Sequence, residues 1–232
     1  MMPRFRTALA GVLVAGLAVP AVAPAMLDNV PSVETPDATP SCPTKPCYAV
    51  GRTTGYQAKV GENRGLYTVQ HDGRIVSWSI TLSKPNRKQI KFFDKSLGGE
   101  SQAQISVLRM GHKLHARLVA QGEPQKLEPY FGQTVEFPLE QSIPVKKGYV
   151  IALTVPTWAP ALAAGLPGDT SWRASRGKGT CDDSQTQTAQ SVNQLAQYYC
   201  LYRTARLMYS ARVITDPQPT EQPKRKKSKK KG

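Results

Sequence analysis

Short runs of strict alternation between apolar and polar residues recur through the middle of this chain. They limit its fold more than any other feature. Val76, Trp78, Ile80 and Leu82 alternate with Ser77, Ser79 and Thr81. Ile105 and Val107 flank Ser106. Leu114, Ala116, Leu118 and Ala120 alternate with Lys113, His115, Arg117 and Val119. Val135, Phe137 and Leu139 alternate with Glu136 and Pro138, and Leu207, Tyr209, Ala211 and Val213 with Met208, Ser210 and Arg212. In a strand, successive side chains point to opposite faces, so period two means one buried face and one wet face. The run Tyr149–Val155 is almost continuously apolar and reads as a central strand. Pro138 has no N–H to give a ladder, which assigns its strand to a sheet edge.

Turn residues separate the runs at Asp72-Gly73, Lys84-Pro85-Asn86, Gly98-Gly99, Gly111-His112 and Lys147-Gly148. Many short strands with such punctuation predict an all-β, antiparallel β-sandwich, jelly-roll-like, over residues 42–214. No long amphipathic helix is evident. The polar, Gln-rich segment from Asp183 to Gln197 is the one place with room for a short helix.

The ends differ from the middle. Arg4 and Arg6, the apolar run Ala8–Val19 and Ala23-Pro24-Ala25 have the charged start, short apolar stretch and small-residue finish of a cleavable secretory signal over 1–25. The apolar run is shorter than the ~20 residues a helix needs to cross a bilayer, so a membrane anchor is the poorer interpretation. Residues 26–41 carry three prolines and three carboxylates and read as an extended linker. Residues 215–232 read as a disordered basic tail, with Lys224, Arg225, Lys226, Lys227, Lys229, Lys230 and Lys231 broken only by Ser228. The signal arginines and this run supply more than half of the net charge of +15, so the domain between them is only mildly basic.

Cys42, Cys47, Cys181 and Cys200 all follow the signal. Four cysteines in an exported chain predict two disulfides, and proximity favours Cys42–Cys47 and Cys181–Cys200. Neither spacing is that of a zinc knuckle.

The stretches "DGRIVSWSITLSKPNRKQIKFF" (72–93), "AQISVLRMGHKLHARLVAQ" (103–121) and "IPVKKGYVIALTVPTWAP" (143–160) resemble an uncharacterised family of exported bacterial β-sandwich proteins. More loosely they resemble jelly-roll carbohydrate-binding modules. The first resemblance implies export and a sandwich. The second implies glycan binding by analogy of fold.

Candidates for chemistry are few. His71 beside Asp72 lacks an accompanying nucleophile motif, and His112 and His115 lack a third ligand. Asp169, Asp182 and Asp183 are the residues a structural calcium would use. These patterns predict no catalytic residue, no metal and no cofactor. Exposed, rigid aromatics beside a few polar groups are how proteins hold sugars. Trp158 between two prolines is the first candidate, with Trp172 and Tyr130 next, while Trp78 belongs on a core face. The sequence thus predicts a secreted or envelope-associated binding protein that is not an enzyme, with a glycan or anionic envelope polymer as partner. It predicts no specific nucleic-acid partner and no transmembrane span in the mature chain. An electrostatic adhesin acting through the Lys-rich tail is the alternative, and a hydrolase or lyase built from loops is the third class.

Overall fold

A computed structural model describes residues 24–32, 35–183 and 187–217. Most of the segment read as a signal (1–23) and the basic tail from 218 onward lie outside the described residues. In chain order the strands are β1 (Leu27–Val30), β2 (Val50–Val60), β3 (Asn63–Arg64), β4 (Gly73–Thr81), β5 (Gln102–Met110), β6 (His115–Gln121), β7 (Gln125–Lys126), β8 (Thr134–Val145) and β9 (Val150–Ala159). The helix α1 (Arg87–Leu97) joins β4 to β5. Short strands follow as β10 (Leu162–Ala164), β11 (Ser171–Ala174), β12 (Leu195–Gln197), β13 (Cys200–Arg203) and β14 (Ala205–Leu207), and β15 (Tyr209–Thr215) closes the domain.

The pairing is that of a rolled-up ribbon. β1 pairs with β15, β2 with β9, β4 with β8, and β5 with β6, all antiparallel. The outermost strand of each half thus meets its opposite number, which is the jelly-roll arrangement. The pairs fall into a four-stranded sheet, β1-β15-β4-β8, and a larger one running β12-β6-β5-β9-β2-β11-β13. Ile75, Trp78 and Ile80 of the small sheet and Ile105, Ile151 and Leu153 of the large one are buried together in one core. Tyr67 and Tyr209 bridge the sheets. The Tyr67 hydroxyl donates to the Tyr209 carbonyl (2.8 Å) and the Tyr209 hydroxyl to the Ile151 carbonyl (2.9 Å).

The antiparallel sandwich, the central position of β9 and the edge position of the Pro138 strand, β8, agree with the alternation. So do both local disulfides, Cys42–Cys47 and Cys181–Cys200. Four features differ. First, residues 26–41 are no free linker: β1 is the first strand of the jelly roll, and Ser41 donates its N–H to Leu162. Ala25–Asp216 is accordingly one compact unit. Second, a bulge between Ile75 and Ser77 reverses the parity of β4, so Ile75 rather than Val76 faces inward.

Third, Lys84-Pro85-Asn86 is more than a turn. Asn86 caps α1 by accepting from the N–H groups of Lys88 and Gln89, and Gln89 Oε1 accepts from the Asn86 N–H (2.8 Å). Gly98, at φ 97°, ends the helix in the left-handed region where glycine is unstrained. Fourth, residues 187–194 are not helical. They lie over the outer face of the large sheet, inside the loop closed by Cys181–Cys200. The polar side chains there are buried because they satisfy one another. Thr154 Oγ1 bonds Thr54 Oγ1 (2.8 Å) and Ser106 Oγ (2.7 Å), and Gln190 bonds Thr54, the Ala116 carbonyl and the Tyr198 hydroxyl.

Candidate functional site

Eight strands suffice for the jelly roll. Between the last two, β9 and β15, the chain inserts β10 to β14. This insertion widens the large sheet through β11 and β13, and β10 pairs with β14 as a separate ribbon. The Cys42–Cys47 loop faces the insertion across a groove of about 1250 Å³. That exceeds the volume of ordinary small-molecule pockets. Ser41, Cys42 and Tyr48 line it on the loop side, and Leu162, Trp172 and Tyr202 on the insertion side.

Each wall is pinned. The Tyr48 N–H donates to Ser41 Oγ (2.9 Å), which fixes the chain directly after the disulfide. Trp172 and Tyr202 are cross-strand partners on β11 and β13, and their rings stack at 4.6 Å and 23°. Arg176 ties three segments together. Its Nη1 donates to the Tyr202 hydroxyl (2.6 Å) and the Cys181 carbonyl (3.1 Å), and its Nη2 to the Gly51 carbonyl (3.2 Å). The Trp172 and Arg176 Nε atoms are enclosed without acceptors.

Its charge is one-sided. Among the described residues, Lys45, Arg176 and Arg203 line it, and no Asp, Glu or His does. Lys45 and Arg203 are exposed, and neither side chain forms an ion pair or hydrogen bond among the described residues.

The aromatics named from sequence separate. Trp172 is in the groove wall, though only 4% exposed. Tyr130 is half-buried, edge-on to Phe137 at 5.3 Å, and outside the groove. Trp158 is fully buried, which corrects its reading as an exposed platform. Helix α1 covers it: Phe93 meets its ring at 4.9 Å, and its N–H donates to Asp94 Oδ1 (2.9 Å) and the Gly99 carbonyl (3.0 Å). The flanking prolines mark the end of β9, not a surface loop. Tyr48 (47% exposed), Tyr202, Arg176 and Arg203 are the groove residues that sequence reasoning passed over. The one available signal was an aromatic directly after a disulfide loop.

The other chemical candidates stay apart from the groove. Asp72 Oδ1 accepts the Lys147 N–H (2.7 Å) and so holds the β8–β9 turn, while His71 stands exposed in the turn before β4. His115 Nδ1 lies 3.2 Å from the His112 carbonyl in the β5–β6 hairpin. Partial burial raises the Glu128 carboxyl above its usual range, and the charges of Asp94 and Glu100 add to this. Among the described residues, no three His, Cys, Asp or Glu side chains gather as a metal site, and no helix is long and apolar enough to cross a membrane. The molecule is thus a disulfide-bonded jelly-roll sandwich with a cationic, aromatic-lined groove grafted on one end. No family model, curated protein or solved structure matches the chain.

Proposed function

We propose that this is an exported, non-catalytic binding protein of the cell envelope, and that it holds a segment of a glycan chain in the groove between the Cys42–Cys47 loop and the β10–β14 insertion. The observation that carries this is exposed Tyr48 on one wall and half-buried Tyr202, backed by the nearly buried Trp172 ring, on the other wall of an open groove of about 1250 Å³. Sugar rings present C–H faces that pack on aromatic planes and hydroxyls that need hydrogen-bond partners. A groove of this size takes several sugar units. Among the described residues its lining lacks the carboxylate pair that glycoside hydrolysis uses, which favours binding over cleavage. Both disulfides fit a chain that folds in an oxidising compartment, in keeping with the signal at 1–25.

The test is a glycan array and cell-wall pull-down with the full mature chain and two variants. Tyr48→Ala removes a solvent-facing ring and should weaken glycan retention about tenfold or more with an unchanged melting curve. Tyr130→Ala, outside the groove, should bind as the parent does. Absence of glycan binding, or equal binding by Tyr48→Ala, would sink the proposal.

A further inference from the structure

Beyond glycan binding itself, and resting on that proposal, we infer that the groove selects sugar chains bearing carboxylates, of the uronic-acid type, and that Lys45 and Arg203 are the residues that set this preference. Lys45, Arg176 and Arg203 place three cations on one groove with no lining anion among the described residues. Among the described residues, ion pairs form away from the groove: Lys126 with Glu100 (2.9 Å) and Arg212 with Glu136 (3.2 Å). The domain therefore has acids to spend, and none is spent here. A cleft walled by one sign of charge concentrates field and draws in the opposite charge. A solvated charged surface is the ordinary alternative, but it does not account for cations meeting an aromatic wall inside a groove.

The three cations differ in role. Arg176 is committed to Gly51, Cys181 and Tyr202 and acts as a bracing charge. Lys45, on the disulfide loop, and Arg203, at the exposed end of β13, keep their donors free. They flank the groove from opposite sides, because Lys45 belongs to its loop wall and Arg203 to its insertion wall. Arg203 offers a planar fork to a carboxylate, and Lys45 a mobile point charge. The aromatics decide the carrier. A phosphodiester chain of open polyols would satisfy the cations but has no ring face for Tyr48 or the Trp172–Tyr202 wall. A carboxylated pyranose satisfies both.

The experiment compares three oligomers of equal length by calorimetry on the mature chain without residues 218–232, because Ala25–Asp216 is one compact unit and the Lys224–Lys231 run would bind any polyanion: a polyuronate, its carboxyl-reduced neutral counterpart, and a ring-free polyglycerol phosphate. The polyuronate should bind about tenfold or more tighter than the neutral oligomer at about 50 mM salt, with the gap closing toward 0.5 M as screening shortens the reach of the charges. The Lys45→Gln/Arg203→Gln double variant, made in the same tail-free chain, changes two exposed side chains. It should narrow that gap to about threefold or less and leave neutral binding where it was. Three results would overturn the inference: equal binding of acidic and neutral oligomers, survival of the full preference in the double variant, or polyglycerol phosphate binding as tightly as the polyuronate. Failure of both sugar oligomers to bind would instead defeat the glycan proposal on which it rests.

Discussion

Replacing Trp158 with alanine separates a core tryptophan from a ligand-stacking one. The side chain is fully buried between Phe93 (4.9 Å) and Phe131 (5.6 Å) and donates one N–H to two acceptors, Asp94 Oδ1 and the Gly99 carbonyl. Truncating a large buried aromatic costs about 3–5 kcal/mol through lost contacts and the cavity left behind. Losing the hydrogen bonds adds about 1 kcal/mol, since Asp94 is only half-buried and water can replace the indole. A domain of this size loses about 2–4 °C of melting temperature per kcal/mol, so Trp158→Ala should melt roughly 10–20 °C lower. Trp158→Phe keeps a ring and forfeits mainly the N–H, so it should lose only about 1–2 kcal/mol. The assay is a calorimetric melt of each variant, paired with glycan titration well below the transition, where affinity should match the parent. A Trp158→Ala variant that melts within about 2 °C of the parent and loses glycan affinity would show that the indole contacts ligand and that its burial under α1 is wrong.

Three further outcomes are expected. A chain starting at Cys42 lacks β1 and leaves the β15 edge open, so it should unfold at markedly lower urea than one starting at Met26, and equal midpoints would contradict the pairing of Leu27–Val30 with β15. Burial pushes the Tyr67 hydroxyl up to about 12, and burial likewise raises Tyr198 and Tyr209, whereas the unfolded chain ionises its tyrosines near pH 10. Their contribution is complete below pH 10 and is lost as pH climbs toward 12, where Tyr67 alone accounts for about 3 kcal/mol, so urea midpoints should fall steeply across that window and stay flat from pH 8 to 9. Deleting 224–232 should remove most low-salt adhesion to anionic envelope material while sparing the melting temperature, and salt-insensitive retention would rule out the Lys224–Lys231 run as an anchor.

Much of the sandwich was legible in the residues themselves. Where a strand buries one face, the side chains must alternate, so β6, β8 and β15 announce themselves in Ala116 and Leu118, in Phe137, and in Tyr209, Ala211 and Val213. β9 is covered on both faces and reads as a continuous apolar run. Pro138 specified an edge because a ladder has no use for a residue without an N–H. Short loops made the two disulfides local. These are nearest-neighbour consequences of backbone geometry, and they do not require knowing what lies across the core.

The rest depended on partners distant in sequence. β2 carries Thr53, Thr54 and Gln57, which look solvent-facing, yet all three are buried. Thr54 is satisfied by Thr154 and Gln190, and Gln57 by Ser171 and Leu207. No local pattern shows that a polar residue will find such partners. Trp158 and Trp172 have similar local settings near strand ends, but α1 folds over the first and a groove opens beside the second. The short-range rules for strands and turns therefore determined the all-β class. Which aromatics reach solvent, and that Lys45 and Arg203 share one groove, was decided only when the ribbon rolled up and the insertion before β15 met the Cys42–Cys47 loop, because burial and charge proximity are properties of three-dimensional packing.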